Sequence, residues 1–400
     1  MRNKIISYAA VLIFAVLFLY AGNKIAVGTF EIFNPEGSVP TIEARIVKIL
    51  DISEDINEYW SNKIIRFEAR VISGADLKGG VITGVQGISS FDRGAAREIN
   101  EGDKVILIYD AYDIYDIDEW YFYDYVRINK IIILGVAFII LLVIFGRIQG
   151  LNAILALCFT CVAVFAVFIP SILSGKNIYV WAVIVSAYAV IVTLFMVNGI
   201  NRKSLAAVAG CFGSIGAIAL LTLIMDGVLG LTGVLNAESM DLLYVNQEIN
   251  LRAIIFAGIM IGAVGAVMDV AMSIATALWE IKRRAPDLDF SGFLKSGINM
   301  GKDIAGTMAN TLVLAYTGGS LSIILLLFVY SNSLAELLNR ELIIAELLQA
   351  IIGCFGILLT MPLTALICAV LYSRNNNNIN GKNIVNREKS IADLLENYDK

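Results

Sequence analysis

The sequence predicts an α-helical polytopic membrane protein with about eight transmembrane helices and a small β domain outside the membrane. Of its 400 residues, 58% are hydrophobic and the mean hydropathy is +0.76, values that exclude an ordinary soluble domain. The apolar residues form long runs, each near the roughly 20 residues that a helix needs to cross a bilayer. Between the first two runs, residues 40–130 carry the pattern of short strands separated by glycine turns.

The apolar runs place the predicted spans and divide the chain into domains. The first run follows Arg2 and Lys4, as a secretory signal would, but Leu19-Tyr20-Ala21 is a poor cleavage site, so we favour a retained anchor over a cleaved signal. The eight predicted spans are 5–21, 131–146, 151–170, 178–198, 204–225, 251–279, 304–330 and 344–373. The domains are an N-terminal transmembrane anchor at 1–21, an extracytoplasmic β-rich domain at 22–130, a seven-helix transmembrane core at 131–373 and a cytoplasmic tail at 374–400.

The distribution of basic residues predicts the orientation in the cell membrane. With the N-terminus inside, the cytoplasmic segments hold fifteen lysines and arginines, whereas the short exterior loops hold only Lys176, Arg252 and Arg340. Cytoplasmic loops of membrane proteins carry such an excess of positive charge. We therefore expect both termini in the cytoplasm and residues 22–130 outside.

The residue types that the chain lacks exclude several classes of function. There is no histidine, which excludes histidine-based triads, imidazole proton relays and histidine-ligated metals. The five cysteines lie inside apolar runs, and the C-x-x-C spacing of Cys158 and Cys161 has no second pair. We predict that the protein is not an enzyme and has no cofactor, no metal-ligand set and no nucleic-acid partner.

The exterior segment predicts a small barrel or sandwich. Between its last two predicted strands, from Asp110 to Asp124, acidic residues alternate with tyrosines and a tryptophan. This stretch is explained either as a surface that collects cations or as an aromatic belt beside the bilayer, with charges for solubility. The absence of a glycine-punctuated calcium loop favours the second interpretation.

A carboxylate in the middle of the sixth predicted span is the strongest functional signal. Asp269 lies in an apolar run from Leu251 to Trp279, and a charge at the centre of a membrane helix costs about 2.5–3.5 kcal/mol on insertion scales. At about 100° per residue, one side of this helix collects the small and polar residues. They are Gly258, Gly262, Gly265, Asp269, Ser273, Thr276 and Glu280.

Other spans carry comparable faces. In the seventh, Asp303 is expected at the cytoplasmic boundary with Thr307 and Asn310 deeper, and Gly318-Gly319 could interrupt the helix. In the last, Pro362 leaves a backbone carbonyl without its usual partner, which can coordinate an ion or mark a kink. For the glycines and hydroxyls we favour packing between helices over a functional role, whereas packing rarely calls for a carboxylate, so we favour a functional role for Asp269.

The fifth and last spans predict a further assembly. Their small-residue faces exceed what one bundle needs, so we expect the chain to associate with itself or with a paralogous membrane protein. These faces comprise Ala206, Gly210, Gly213 and Ala217 in the fifth span, and Gly353, Gly356 and Thr360 in the last.

Two segments in the membrane core resemble the YibE/F-like family of bacterial integral membrane proteins. They run from Gly265 to Ile274 and from Gly301 to Leu312, and the later Met361-Pro362-Leu363-Thr364 is similar as well. The resemblance covers 131–373 well and the exterior domain weakly. It implies a multi-pass plasma-membrane protein and supplies no substrate.

Three functions are compatible with these residues. The leading hypothesis is a transporter of an ion or small solute, with Asp269 as the coupling or coordinating group. The alternatives are a non-catalytic envelope organiser or signalling protein acting through its exterior domain, and an intramembrane aspartyl protease using Asp269 and Asp303, whose sequence context lacks the pattern of those enzymes. The ligand-binding residues we predict are Gly262, Gly265, Asp269, Ser273, Thr276, Asp303, Thr307, Asn310 and Pro362.

Overall fold

A computed structural model describes residues 2–27, 41–56, 61–73, 77–89, 96–109, 120–246 and 248–396. The chain forms two compact units, one containing residues 1–30 and 142–400 and the other containing residues 31–141. The acidic and aromatic stretch predicted from Asp110 onward lies largely outside the described residues.

Helices dominate the described chain. They are α1 (Arg2–Ala26), α2 (Ile128–Ala163), α3 (Ile169–Leu173), α4 (Ile178–Asn198), α5 (Arg202–Leu229), α6 (Ala237–Val245), α7 (Leu251–Arg284), α8 (Phe290–Gly319), α9 (Leu321–Tyr330), α10 (Leu334–Asn339) and α11 (Glu341–Glu396). A π-helical turn, Val164–Phe168, joins α2 to α3.

Within the described residues, six helical segments are long and apolar enough to cross a membrane, and the bent pair α8 and α9 makes seven. The predicted spans 131–146 and 151–170 both fall in one of these segments, the apolar run Ile128–Leu173, which consists of two helices joined across a kink at Arg147 and accounts for the difference from the eight predicted spans. This run is not straight. Arg147 has non-helical backbone angles, and a side chain added at Gly150 would collide with the carbonyl oxygen of Leu142, which a straight helix would place about 12 Å away.

The segment predicted to lie outside the membrane forms a closed five-stranded barrel, which decides between the predicted barrel and sandwich. Its strands are β1 (Thr41–Ile56), β2 (Ser61–Ser73), β3 (Val81–Ile88), β4 (Lys104–Ile108) and β5 (Trp120–Tyr125), in the order β1-β2-β3-β5-β4. The pair β3 and β5 is parallel and the other pairs are antiparallel. This order is that of the OB-fold.

Packing and hydrogen bonding in the barrel core explain why position 84 is a glycine and how the buried amide of Gln86 is satisfied. Gly84 has no side chain because the ring of Phe67 occupies that space, 2.8 Å from where a Cβ would lie. The buried Gln86 donates a hydrogen bond to the carbonyl of Arg97 (3.0 Å) and accepts one from the backbone N–H of Ile99 (3.0 Å). A buried amide with both ends satisfied fixes the loop before β4 to the barrel wall.

Close approach between α5 and α11 organises the helical unit. Gly210 leaves room for Thr364, and Gly213 faces Leu363. The hydroxyls of Ser214 and Thr360 lie 2.9 Å apart, both buried. The small-residue faces of the fifth and last spans are therefore largely used inside the chain, and they no longer provide a reason to expect a second copy there.

We predict that Gly210→Val lowers the free energy of unfolding by about 1–3 kcal/mol, because its side chain would overlap Thr364. Gly216→Val is the matched control on the same helix, since a Cβ there meets nothing within 4 Å. Thermal unfolding of both full-length variants in detergent measures the difference. Equal losses in the two variants would contradict this packing.

Candidate functional site

Helix α7 carries the predicted carboxylate. Its first turn is capped by Asn250, whose side chain accepts a hydrogen bond from the backbone N–H of Ala253 (3.2 Å). Its last turn carries Lys282, Arg283 and Arg284, charges that suit the negative end of a helix. Glu280 pairs with Arg283 (3.5 Å) and Arg284 (3.1 Å), so it belongs to the charged end and not to the site.

The two faces of α7 divide as the sequence predicts. The buried side is formed by Val, Ala, Ile and Leu residues such as Val267, Ala271 and Ile274, which pack towards α4, α5 and α11. The opposite side carries the predicted stripe. Gly262 is half-buried, and the exposed members are Gly258, Gly265, Asp269, Ser273 and Thr276.

The carboxylate of Asp269 is exposed on the surface of the chain. The apolar side of α7 packs towards α4, α5 and α11, which leaves the polar side facing outward. Asp269 makes no hydrogen bond or ion pair with any residue in the described ranges.

Helix α8 begins at Phe290, earlier than the predicted start at 304, after a cap in which Asp289 accepts a hydrogen bond from the N–H of Gly292 (2.9 Å). Asp303 therefore lies well inside a continuous helix. Asp303, Thr307 and Asn310 are all exposed on one face of it. The hydroxyl of Thr307 donates to the carbonyl of Ile304 in the same helix (2.9 Å).

Two contacts fix the register between α7 and α8. Gly262 lies against Tyr316, and a Cβ added at Gly297 would be 3.0 Å from Cδ1 of Leu278. Because the two helices are antiparallel, each residue further along α7 lies beside a residue one position earlier on α8. Counting from the two contacts in this way places Asp269 level with Thr307. Ser273 is likewise level with Asp303. The structure brings the polar faces to the same depth, but among described residues no hydrogen bond joins them.

Pro362 lies apart from the stripe on α7. It is half-buried inside α11, and its neighbours Met361 and Leu363 pack against Gly301 of α8 and Gly213 of α5. A proline inside a helix removes one backbone hydrogen bond and frees a carbonyl one turn earlier. Pro362 thus belongs to the packing between α5, α8 and α11.

The sequence interpretation missed three residues near this region. The hydroxyl of Tyr316 is buried against Gly262 and the amide of Gln349, and Glu346 lines a cleft together with Tyr316. Glu346 lies near the start of the predicted span 344–373, where a charge costs less than at the centre of a membrane helix, so the signal that selected Asp269 is weaker there.

Comparison with known proteins gives one match. Residues 134–374 match the model of a family described as YibE/F-like protein, and this range includes α7, α8 and Glu346. No curated protein and no solved structure matches the chain.

We predict that Gly262→Ala destabilises the chain by about 1–3 kcal/mol, because the added methyl would lie 2.5 Å from the hydroxyl of Tyr316. Gly258→Ala, one turn away and in open space, is expected to be neutral or slightly stabilising. Thermal unfolding of both variants and of the double variant Gly262→Ala/Tyr316→Phe forms the test. If removing the hydroxyl restores no stability, Gly262 does not contact Tyr316 in this way.

Proposed function

The chain belongs to the YibE/F-like family, and from this premise we propose that it carries a cation or another small solute across the membrane, with Asp269 as the coordinating or coupling group. Family membership and the six to seven apolar helices indicate a membrane protein. The substrate has to be argued from the residues on α7 and α8.

The observation that carries the proposal is the unpartnered carboxylate of Asp269 at the middle of a 34-residue apolar helix. An unpaired charge in hydrocarbon is costly, so water, a ligand or another protein must meet it. Hydroxyl oxygens of Ser273 and Thr276 lie along the same face, and Thr307 is level with Asp269 on α8. Carboxylate and hydroxyl oxygens suit a hard cation.

The small number of acidic side chains around Asp269 supports weak binding of the proposed ion. Within the described residues, no three Asp, Glu or Cys side chains come together as a metal-binding group. A tight divalent site usually gathers several oxygen ligands with more than one carboxylate. A single carboxylate therefore favours a monovalent cation or a step coupled to a proton.

We still propose that the chain assembles with another membrane protein chain, but through α7 and α8 and not through α5 and α11. Intramembrane polar groups almost always face the interior of a bundle or a water-filled cavity. Because the polar faces of α7 and α8 are exposed, we infer that a second copy or a paralogous membrane protein covers them.

The orientation is proposed from the basic residues alone, with both termini in the cytoplasm and the barrel outside the cell membrane.

A second candidate function rests on the barrel. The order of its strands is one that other proteins use to bind oligonucleotides and oligosaccharides, which favours an envelope protein that binds a partner through this unit. The protease hypothesis has less support. A carboxyl dyad must share a proton, whereas Asp303 is level with Ser273, about 6 Å along the helix axis from Asp269.

We predict that Asp269→Asn abolishes cation-dependent uptake into proteoliposomes and the stabilisation of the detergent-purified protein by the transported cation. A hundredfold excess of ligand over Kd stabilises a protein by about 2.7 kcal/mol, which a thermal-shift panel of monovalent and divalent cations detects.

The matched control is Glu280→Gln, which removes only ion pairs at the charged end of α7. It should keep both the uptake and the stabilisation. Transport by Asp269→Asn at the wild-type rate would refute the role of this carboxylate.

A further inference from the structure

The helix that begins as α8 breaks at Ser320. It stops at Gly319, and α9 leaves at 63° to it from Leu321. The backbone N–H of Ser320 donates to the carbonyl of Tyr316 (3.0 Å), and its carbonyl accepts from Ile324 (2.9 Å). This break occurs where the sequence offers Gly318-Gly319. The last turn of α8 therefore presents a negative helix end at the bend.

A cleft of about 250 Å³ lies at the break, between α8, α9, α10 and α11. One group of lining residues is polar and consists of Tyr316, Thr317, Ser320 and Glu346. The rest of the lining is aliphatic, for example Val313, Leu338 and Ala350. Its volume lies just below the range of about 300–1,000 Å³ that is usual for drug-sized ligands, so the ligand it fits is small.

Glu346 is the only charged side chain among the lining residues. It is half-buried and makes no hydrogen bond or ion pair with any described residue. It lies about 7.5 Å along α11 from the helix start. That start is fixed by Glu341, which accepts hydrogen bonds from the backbone N–H groups of Thr232 (2.6 Å) and Gly233 (2.5 Å).

The basic residue of the same segment already has a carboxylate partner, although its buried Nε makes no hydrogen bond with a described residue. Arg340 pairs with Glu336 (3.0 Å). Hydrogen bonds from the backbone and side chain of Asn332, together with Arg340, hold the pKa of Glu336 below its ordinary value. Glu336 therefore stays ionised and keeps its arginine, which leaves the carboxylate of Glu346 without a cation from this segment.

We propose that this cleft binds a small organic cation, with its ammonium group on the carboxylate of Glu346 and its apolar body against the aliphatic wall. A metal ion would need about six oxygen ligands, and most of the lining carries none. The face of Tyr316 can also hold an ammonium group. This inference goes beyond the proposed transport, because binding at Glu346 is expected whether or not Asp269 carries a solute.

Isothermal titration calorimetry of the full chain in lipid nanodiscs tests the proposal, with phenethylammonium as the probe. Phenethyl alcohol is its neutral counterpart and reports binding by the apolar body alone. We expect phenethylammonium to bind at least tenfold more tightly than the alcohol, which corresponds to about 1.4 kcal/mol. Glu346→Gln should remove this difference, whereas Asp241→Asn on the exposed face of α6 should not change it.

Two further variants keep the test decisive. Ala350→Leu fills the cleft without changing its charge and should abolish binding even if Glu346→Gln does not fold. Asp269→Asn should bind phenethylammonium as wild type does, so that failure of the transport proposal and failure of this one are distinguishable. Equal binding of the ammonium and the alcohol would overturn the proposal, as would unchanged binding by Glu346→Gln. So would binding of Na⁺ or Ca²⁺, in place of phenethylammonium, that is lost in Glu346→Gln but kept in Asp269→Asn.

Discussion

The helical unit depends on the close packing of α11 against α5, α7 and α8. Helices in a bilayer gain little from the hydrophobic effect when they associate, so van der Waals contact at small residues has to hold them together. Gly356 meets Ile218 of α5 and Val267 of α7, and Gly353 meets Leu312 of α8. These contacts need glycine on α11 because the facing side chains occupy the space where its Cβ atoms would lie.

This packing determines which side of α7 is left for function. With α4, α5 and α11 on its apolar side, the glycines, hydroxyls and Asp269 remain on the other side. The same applies to α8, whose Gly297 and Gly301 face α11 while Asp303 and Asn310 do not. Two polar faces at one depth are thus a consequence of how the apolar residues pack, and their exposure is the reason that we propose a ligand or a partner there.

Asp269 and Glu346, neither of which pairs with a residue in the described ranges, occupy different surroundings. Asp269 lies on an open face among small and hydroxyl-bearing residues, which leaves room for a hydrated or shared ion. Glu346 lies in a cleft with an aliphatic wall at a broken helix, which favours a ligand with an apolar body. Tyr316 connects the two regions, because its ring lines the cleft and its hydroxyl meets Gly262 on the polar face of α7.

The sequence by itself determined where most helices and strands lie and which residues share the face of Asp269, because hydrophobic periodicity is a local property of the chain. It also located the helix break at Gly318-Gly319. Only the tertiary structure decided that this face turns outward, that Gly210 serves packing within the chain, and that Glu346 opens into a cleft with Tyr316. Those outcomes depend on which helices become neighbours, and residues far apart in sequence choose that jointly through the fit of their side chains.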